Sequence, residues 1–328
     1  MDTTGPDELE RCVTSAAGEL RAAGGLDWSL PAAGLDWSCR DTAVHLAGDL
    51  TGFAAQLSGR ARDRYLPLTV GAAPDTPPDG LVDLIEAGGR LLVAAVRAAR
   101  PQDRAWHPAG LADPGAFAAM GVAELLLHTH DVLTGLGRAR RPPDRDAAAV
   151  LDRLFPHAPR SAAAGPWASL LAATGRADVP GVPRQRVWRW YNDAVRGEGV
   201  ALCAIGPRCA EDLLAGGTGG FAWTPDGPGE QVRTTAARVL RTPDRPAGGA
   251  AGRPAGRPAY AVVRLSDHLA VGSIGPRSAP DAYTDADADA DADDDGYASG
   301  DITLAPSARG EGLADRALEA LRRSLPAG

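Results

Sequence analysis

Residues 115–136 are the most apolar segment of the chain, and their side chains follow helical spacing. A helix of that character needs partners, and three more are predicted upstream. Residues 7–23 carry apolar positions near helical spacing. A second helix runs from Ser38 to about Gln56, with Val44, Leu46, Leu50, Phe53 and Leu57 as its apolar set; it opens on Ser38-Cys-Arg-Asp41, a capping-box pattern. A third covers residues 79–100, with Leu81, Leu84, Ile85, Leu91, Leu92 and Val96. Four long helices separated by loops predict an up-down four-helix bundle. Shorter helices are predicted near 145–155 and 165–174. No run of about 18 apolar residues occurs, so no membrane span is expected.

The second half changes character. Residues 176–187, with Pro180 and Pro183, break the helical pattern. Short β-branched runs follow at 257–264, 268–275 and 299–305, mixed with helical patterns at 208–215, 229–241 and 311–325. The expected organisation is α + α/β: a bundle over residues 1–180, a linker over 181–196, and an α/β or α+β region over 197–328. Residues 243–258 and 276–298 read as loops or disorder.

Charge and composition exclude several functions. The formal charge is −8, and seven aspartates between positions 285 and 295 carry nearly all of it, so no basic face for nucleic acid is expected. All 34 cations are arginine. Without lysine there is no Schiff-base amine and no P-loop lysine. The acidic N-terminus lacks the apolar core of a signal peptide. Cys12, Cys39, Cys203 and Cys209 fit no close-paired metal spacing, and a reduced cytoplasmic protein is expected.

Chemistry concentrates in the helical half. Glu124 and His128 lie four apart on the fourth helix and share one face, with Val122, Leu125, Leu126 and Leu127 around them. A buried carboxylate and imidazole need partners. With His45 from the second helix they form a set suited to a zinc-like divalent ion with one open position. Asp49 and Asp131, one turn beyond His45 and His128, could orient the imidazoles. The same residues also fit a hydrogen-bonded polar cluster in the core. His130 points away from the Glu124/His128 face, and His107, His157 and His268 read as ordinary surface residues.

The stretches LDWSCRDTAVHLAGDL, MGVAELLLHTHDVLTGLG and PWASLLAATGRADVPGVPRQRVWRWY resemble the mycothiol-dependent maleylpyruvate isomerase N-terminal family, a group of DinB-like bundles. The resemblance covers roughly residues 8–190. It implies a divalent metal, usually zinc, held by His45, Glu124 and His128, with the open position taken by a thiol cofactor of the mycothiol type. The small C-terminal domain of the isomerases is not recognisable here. A metal- and thiol-dependent transferase or isomerase-like enzyme is therefore expected rather than a maleylpyruvate isomerase. Its partners would be a small-molecule thiol and a small-molecule substrate, with homodimerisation left open.

Residues 299–325 read strand, turn, helix around Arg309-Gly310-Glu311-Gly312-Leu313-Ala314. Small residues before a helix N-terminus suit a pyrophosphate, and they also suit an ordinary left-handed turn. The pattern resembles the coenzyme loop of GNAT acetyltransferases of the ribosomal-protein-alanine type, over about 198–325. That implies contacts from Arg309, Gly310, Glu311, Gly312, Leu313 and Ala314 to acetyl-CoA, in a domain truncated after the loop helix. Two alternative functions follow: an acetyl-CoA-dependent N-acetyltransferase, and a non-catalytic scaffold derived from both folds. Trp223 reads as a core residue or as part of an acceptor cleft, and Trp188 to Tyr191 as the seam between halves. The run from Asp291 to Gly296 mimics an EF-hand opening, but position twelve would be Ile302, so a solvated insertion is expected.

Overall fold

The computed structural model describes residues 4–182, 184–185, 189–241, 258–275 and 302–324. The aspartate tract and Trp188 lie outside the described residues. The chain divides into two compact units, residues 1–155 with 161–192, and residues 156–160 with 193–328. The expected linker is thus divided: residues 181–192, including buried Trp190 and Tyr191, go with the first unit.

Among the described residues, six helices build the first unit: α1 (Pro6–Arg21), α2 (Cys39–Gly59), α3 (Pro78–Ala98), α4 (Pro114–Gly135), α5 (Asp144–Leu154) and α6 (Gly165–Ala173). The four long ones pack against one another, with α4 touching α1, α2, α3 and α5. Seventeen of the 22 residues of α4 are buried, so any charged group on it must find its partner inside the protein. Its start is fixed by Asp113, whose side chain accepts from the Ala116 amide at 2.7 Å and from Arg153 at 3.1 Å. Helix α2 starts on the expected cap: the Ser38 hydroxyl accepts from the Asp41 amide at 3.0 Å and donates to the Asp41 carboxylate at 2.6 Å. At its other end α2 stops on Arg60, at φ 51°.

The chain then returns across α2, and one buried side chain holds it there. The Gln56 amide nitrogen donates to the carbonyls of Arg64 and Trp106, and its oxygen accepts from the Leu66 amide, all between 2.8 and 3.0 Å. This brings residues 65–70 beside the middle of α2, where His45 and Asp49 project.

Among the described residues, the second unit carries an antiparallel meander of five strands in sequence order: β1 (Val195–Gly197), β2 (Val200–Ala204), β3 (Tyr260–Arg264), β4 (Leu269–Ile274) and β5 (Ile302–Leu304). Helices α7 (Pro207–Leu214) and α8 (Glu230–Arg241) lie between β2 and β3 in sequence, and α9 (Leu313–Ser324) ends the described chain. Every strand pair of this sheet is antiparallel, so the second half is α+β, which corrects the α/β expectation. Leu313, Ala317, Leu318 and Leu321 of α9 close the core over Val200, Leu202 and Val262. The β1–β2 hairpin had no counterpart in the sequence reading. Gly272 is demanded by packing: a β-carbon there would sit 2.0 Å from the Thr303 carbonyl oxygen.

Candidate metal centre

Two helices bring the predicted trio together. One donor atom from each of His45, Glu124 and His128 can be chosen so that all three lie within 4.8 Å of one another. Donors placed tetrahedrally about 2.0–2.2 Å from a zinc ion stand about 3.4 Å apart, so the spacing suits such an ion after small side-chain adjustments. The donor chemistry, two imidazoles and a carboxylate, fits as well. Glu124 is 7 % exposed and His128 9 %, because α4 is enclosed by its neighbours, while His45 is only half-buried. The trio is therefore closed on its α4 side and open on its α2 side.

His128 is held at both ring nitrogens. Its Nε2 stands 2.9 Å from Glu124 Oε2, and its Nδ1 stands 3.1 Å from Asp131 Oδ2. Asp131 is 1 % exposed and is gripped in turn by Arg176, with Nε to Oδ1 at 2.9 Å and Nη2 to Oδ2 at 2.7 Å. The result is a continuous buried chain from Arg176 through Asp131 and His128 to Glu124. Asp49 is arranged differently. Its Oδ2 lies 3.2 Å from His45 Nε2, and both side chains keep partial access to solvent.

Electrostatics follow from this placement. Burial alone would push the His128 imidazolium towards losing its proton, but the hydrogen bonds with Asp131 and Glu124 outweigh it and lift the pKa to about 9. Burial likewise opposes the Glu124 charge, yet His128, His45 and Arg176 hold its carboxyl below the usual range. Burial, reinforced by the Glu124 charge, pushes Asp49 up to about 7. Burial and then the charge of His128 depress His45. Four ionisable groups packed this closely, with opposed shifts, are what a candidate site and a buried ion-pair network have in common.

A cleft of about 540 Å³ opens at His45. Trp37, Val44, Leu68 and Val70 give it apolar walls, and Asp41 and Asp49 also line it. The Trp37 ring meets the His45 ring edge-on at 4.9 Å between centroids, and His45 meets His128 at 5.0 Å. Tyr65 lies within electrostatic reach: burial and the charges of Asp49 and Glu124 push its phenol up to about 12. A depression of about 570 Å³ lined by Glu10, Arg90 and Arg97 lies apart from the trio, which is the one such ligand group among the described residues.

Several contributors were not visible in the sequence. Arg176, 45 residues from Asp131, carries no local signal, and Trp37 lies outside the helix that carries His45. Two histidines expected at the surface are buried. His107 accepts from the Ala109 amide at 3.0 Å and stacks on Trp190 at 5.3 Å, and burial drops its pKa to about 4. His157 packs edge-on against Phe221 at 5.7 Å. His268 is half-buried, 2.9 Å from the Pro156 carbonyl. His130 meets Trp167 edge-on at 5.4 Å and stays outside the trio.

In the second unit, Arg309, Gly310, Glu311 and Gly312 form an exposed turn between a single 3-10 turn (Pro306–Ala308) and α9. Gly310 and Gly312 adopt φ 82° and 68°, and no atom lies within 4 Å of where their β-carbons would be. Glu311 is tied to Arg264 at 2.7 Å. The Leu313 side chain points into the core, leaving only its backbone for a ligand. The Ser307 hydroxyl and amide anchor the turn by donating to Asp226 at 2.7 and 2.9 Å, which lowers the Asp226 pKa to about 2. Trp223, half-buried, donates to the Thr218 carbonyl at 2.8 Å.

No described helix is long and apolar enough to cross a membrane. No curated protein and no solved structure matches the chain. A family model does match, over a segment that begins in α1, ends in α4, and contains His45, Asp49, Glu124, His128 and Asp131. Over residues 9–133, the helical half of this chain is similar to the mycothiol maleylpyruvate isomerase N-terminal domain.

Proposed function

We propose that the helical unit holds a divalent cation, zinc in the first instance, through His45, Glu124 and His128, and serves a transferase or isomerase-type reaction of a mycothiol-like thiol. The observation that carries this reading is the convergence of three donor groups from two helices, two of them buried, beside an accessible cleft. A divalent cation there supplies positive charge that lowers a thiol's pKa and favours the thiolate. The chain's own residues do the rest. Asp131 and Arg176 fix the His128 ring so that Nε2 faces Glu124. Asp49 fixes the outer ring, His45. Trp37 and Leu68 give the approach apolar walls.

Metal analysis of the purified chain, with His45→Ala and Glu124→Ala beside it, tests the site. The expected result is about one equivalent of divalent metal in the parent and a near-complete loss in both variants. Equal metal content in all three would overturn it.

A second reading attaches to the other unit, on one observation: two left-handed glycines, Gly310 and Gly312 on either side of Glu311, with open space above them, just before α9. That backbone suits a pyrophosphate, as in acetyl-CoA, and supports a GNAT-like acetyltransferase activity. Calorimetric titration with acetyl-CoA is expected to show binding that Gly312→Asp removes. Binding indifferent to that substitution would count against the loop.

A further inference from the structure

One phenol is held beside the trio by contacts that have nothing to do with its hydroxyl. Tyr65 lies in the segment that returns across α2, and one buried side chain fixes its backbone on both sides. Gln56 holds the Arg64 carbonyl before it and the Leu66 amide after it, at 2.8 and 3.0 Å. Gln56 also holds the Trp106 carbonyl at 3.0 Å, and the Trp106 amide donates to the Ala61 carbonyl at 2.7 Å. The Tyr65 ring meets the neighbours that these bonds bring to it, Trp106 edge-on at 5.0 Å and His107 edge-on at 6.0 Å. His107 is fixed in turn, because its Nδ1 accepts from the Ala109 amide and its ring stacks on Trp190. Tyr65 has thus given up much of its side-chain freedom while 47 % of its surface stays in solvent. Such a residue is oriented rather than buried.

The same ring contacts place it on the open side of the trio. His45, Asp49 and Phe53 follow one another at four-residue intervals on α2 and share a face. Phe53 meets His107 at 5.9 Å, so His107 joins Tyr65 to the α2 face that carries His45. The phenol lies within electrostatic reach of Asp49 and of Glu124. Both carboxylates already face imidazoles, Asp49 at 3.2 Å and Glu124 at 2.9 Å. Burial is the first influence on the phenol and keeps its proton in place, so the group is a standing hydrogen-bond donor through the neutral range.

From this placement we infer that Tyr65 donates its phenolic O–H to the sulfur of a thiolate bound at the open position of the metal centre. The inference rests on the metal-and-thiol reading above and adds a residue that touches the bound sulfur. The phenol keeps its proton throughout: the hydrogen bond steadies the thiolate charge, and bonds of this kind, to an anion, are the stronger ones.

The full chain loaded with cobalt(II) tests it, with 2-mercaptoethanol and imidazole as alternative ligands for the open position. A bound thiolate can accept a hydrogen bond at sulfur, whereas imidazole bound through its nitrogen has no lone pair left to accept one. Tyr65→Phe keeps the ring contacts with Trp106 and His107 and removes only the hydroxyl. It is expected to take up cobalt as the parent does, to bind 2-mercaptoethanol about tenfold more weakly, and to bind imidazole unchanged. The thiolate-to-cobalt absorption band is expected at longer wavelength in the variant, because a sulfur that loses a hydrogen bond gives up electron density to the metal more readily. A purely structural role for Tyr65 would weaken both ligands alike and would overturn the inference. Equal thiol affinity in the two proteins, an unmoved band, or loss of cobalt from the variant alone would overturn it as well, and each would leave the metal-and-thiol reading in place. Cobalt bound by the parent with no band from the thiol would overturn the thiol reading, and the inference with it.

Discussion

Replacing Arg176 by methionine is expected to destabilise the helical unit by about 3–5 kcal/mol, far more than the loss of a surface ion pair. The reason lies in what is left behind. Asp131 is 1 % exposed, and both of its oxygens take charge-assisted bonds from the Arg176 guanidinium. Methionine fills a similar volume but leaves Asp131 buried with His128 as its one remaining ionic partner. The penalty is that of an uncompensated charge, not of a lost contact. Urea unfolding followed by far-UV circular dichroism measures it. The double variant Arg176→Met/Asp131→Leu is expected to recover part of the loss, because the stranded charge is then gone. A loss below about 1 kcal/mol in the single variant would mean that the pair behaves as an exposed one.

The same pair shows where sequence reasoning stops. Helix spacing was legible because each long helix turns an apolar stripe inward, and α1 to α6 fall within a few residues of the predicted bounds. Asp131 was legible as the partner of His128 because three residues on a helix are one turn. Arg176 was not: it sits beyond α6, and one arginine among 34 carries no signal of its own. Loop histidines were misread for a related reason. Chain between helices was expected outside, but the Gln56 bond to the Trp106 carbonyl and the stacked rings of His107 and Trp190 hold part of residues 102–112 inward, burying Asp103, Ala105, His107 and Ala112. The β1–β2 hairpin escaped because β1 has three residues and β2, Val-Ala-Leu-Cys-Ala, is buried on both faces and shows no alternation. Trp37 carries no pattern that ties it to His45, and only the fold puts its ring against that imidazole.

Burial also explains why one measurement separates a metal centre from a satisfied polar core. Without a cation, the groups from Arg176 to Glu124 already bond to one another, so the bundle has no need of metal to fold. A dry cluster of this kind gains nothing from zinc. A ligand set does, since whatever binds the folded state alone stabilises it in proportion to its occupancy. Zinc at about a thousand times its dissociation constant is expected to add about 4 kcal/mol, raising the midpoint of helical unfolding by about 8–16 °C. Glu124→Gln keeps the shape of the side chain and removes its charge, so it is expected to lose most of the zinc-dependent rise above its own apo midpoint, which itself falls because His128 loses an ionic partner. The rise is also expected to shrink from pH 8 to pH 6, because an imidazole must give up its proton before it can ligate. Thermal unfolding with and without chelator, at both pH values, reads all three effects. A midpoint indifferent to zinc at pH 8 would identify the cluster as a self-satisfied element of the core and would remove the basis for a thiol-activating role.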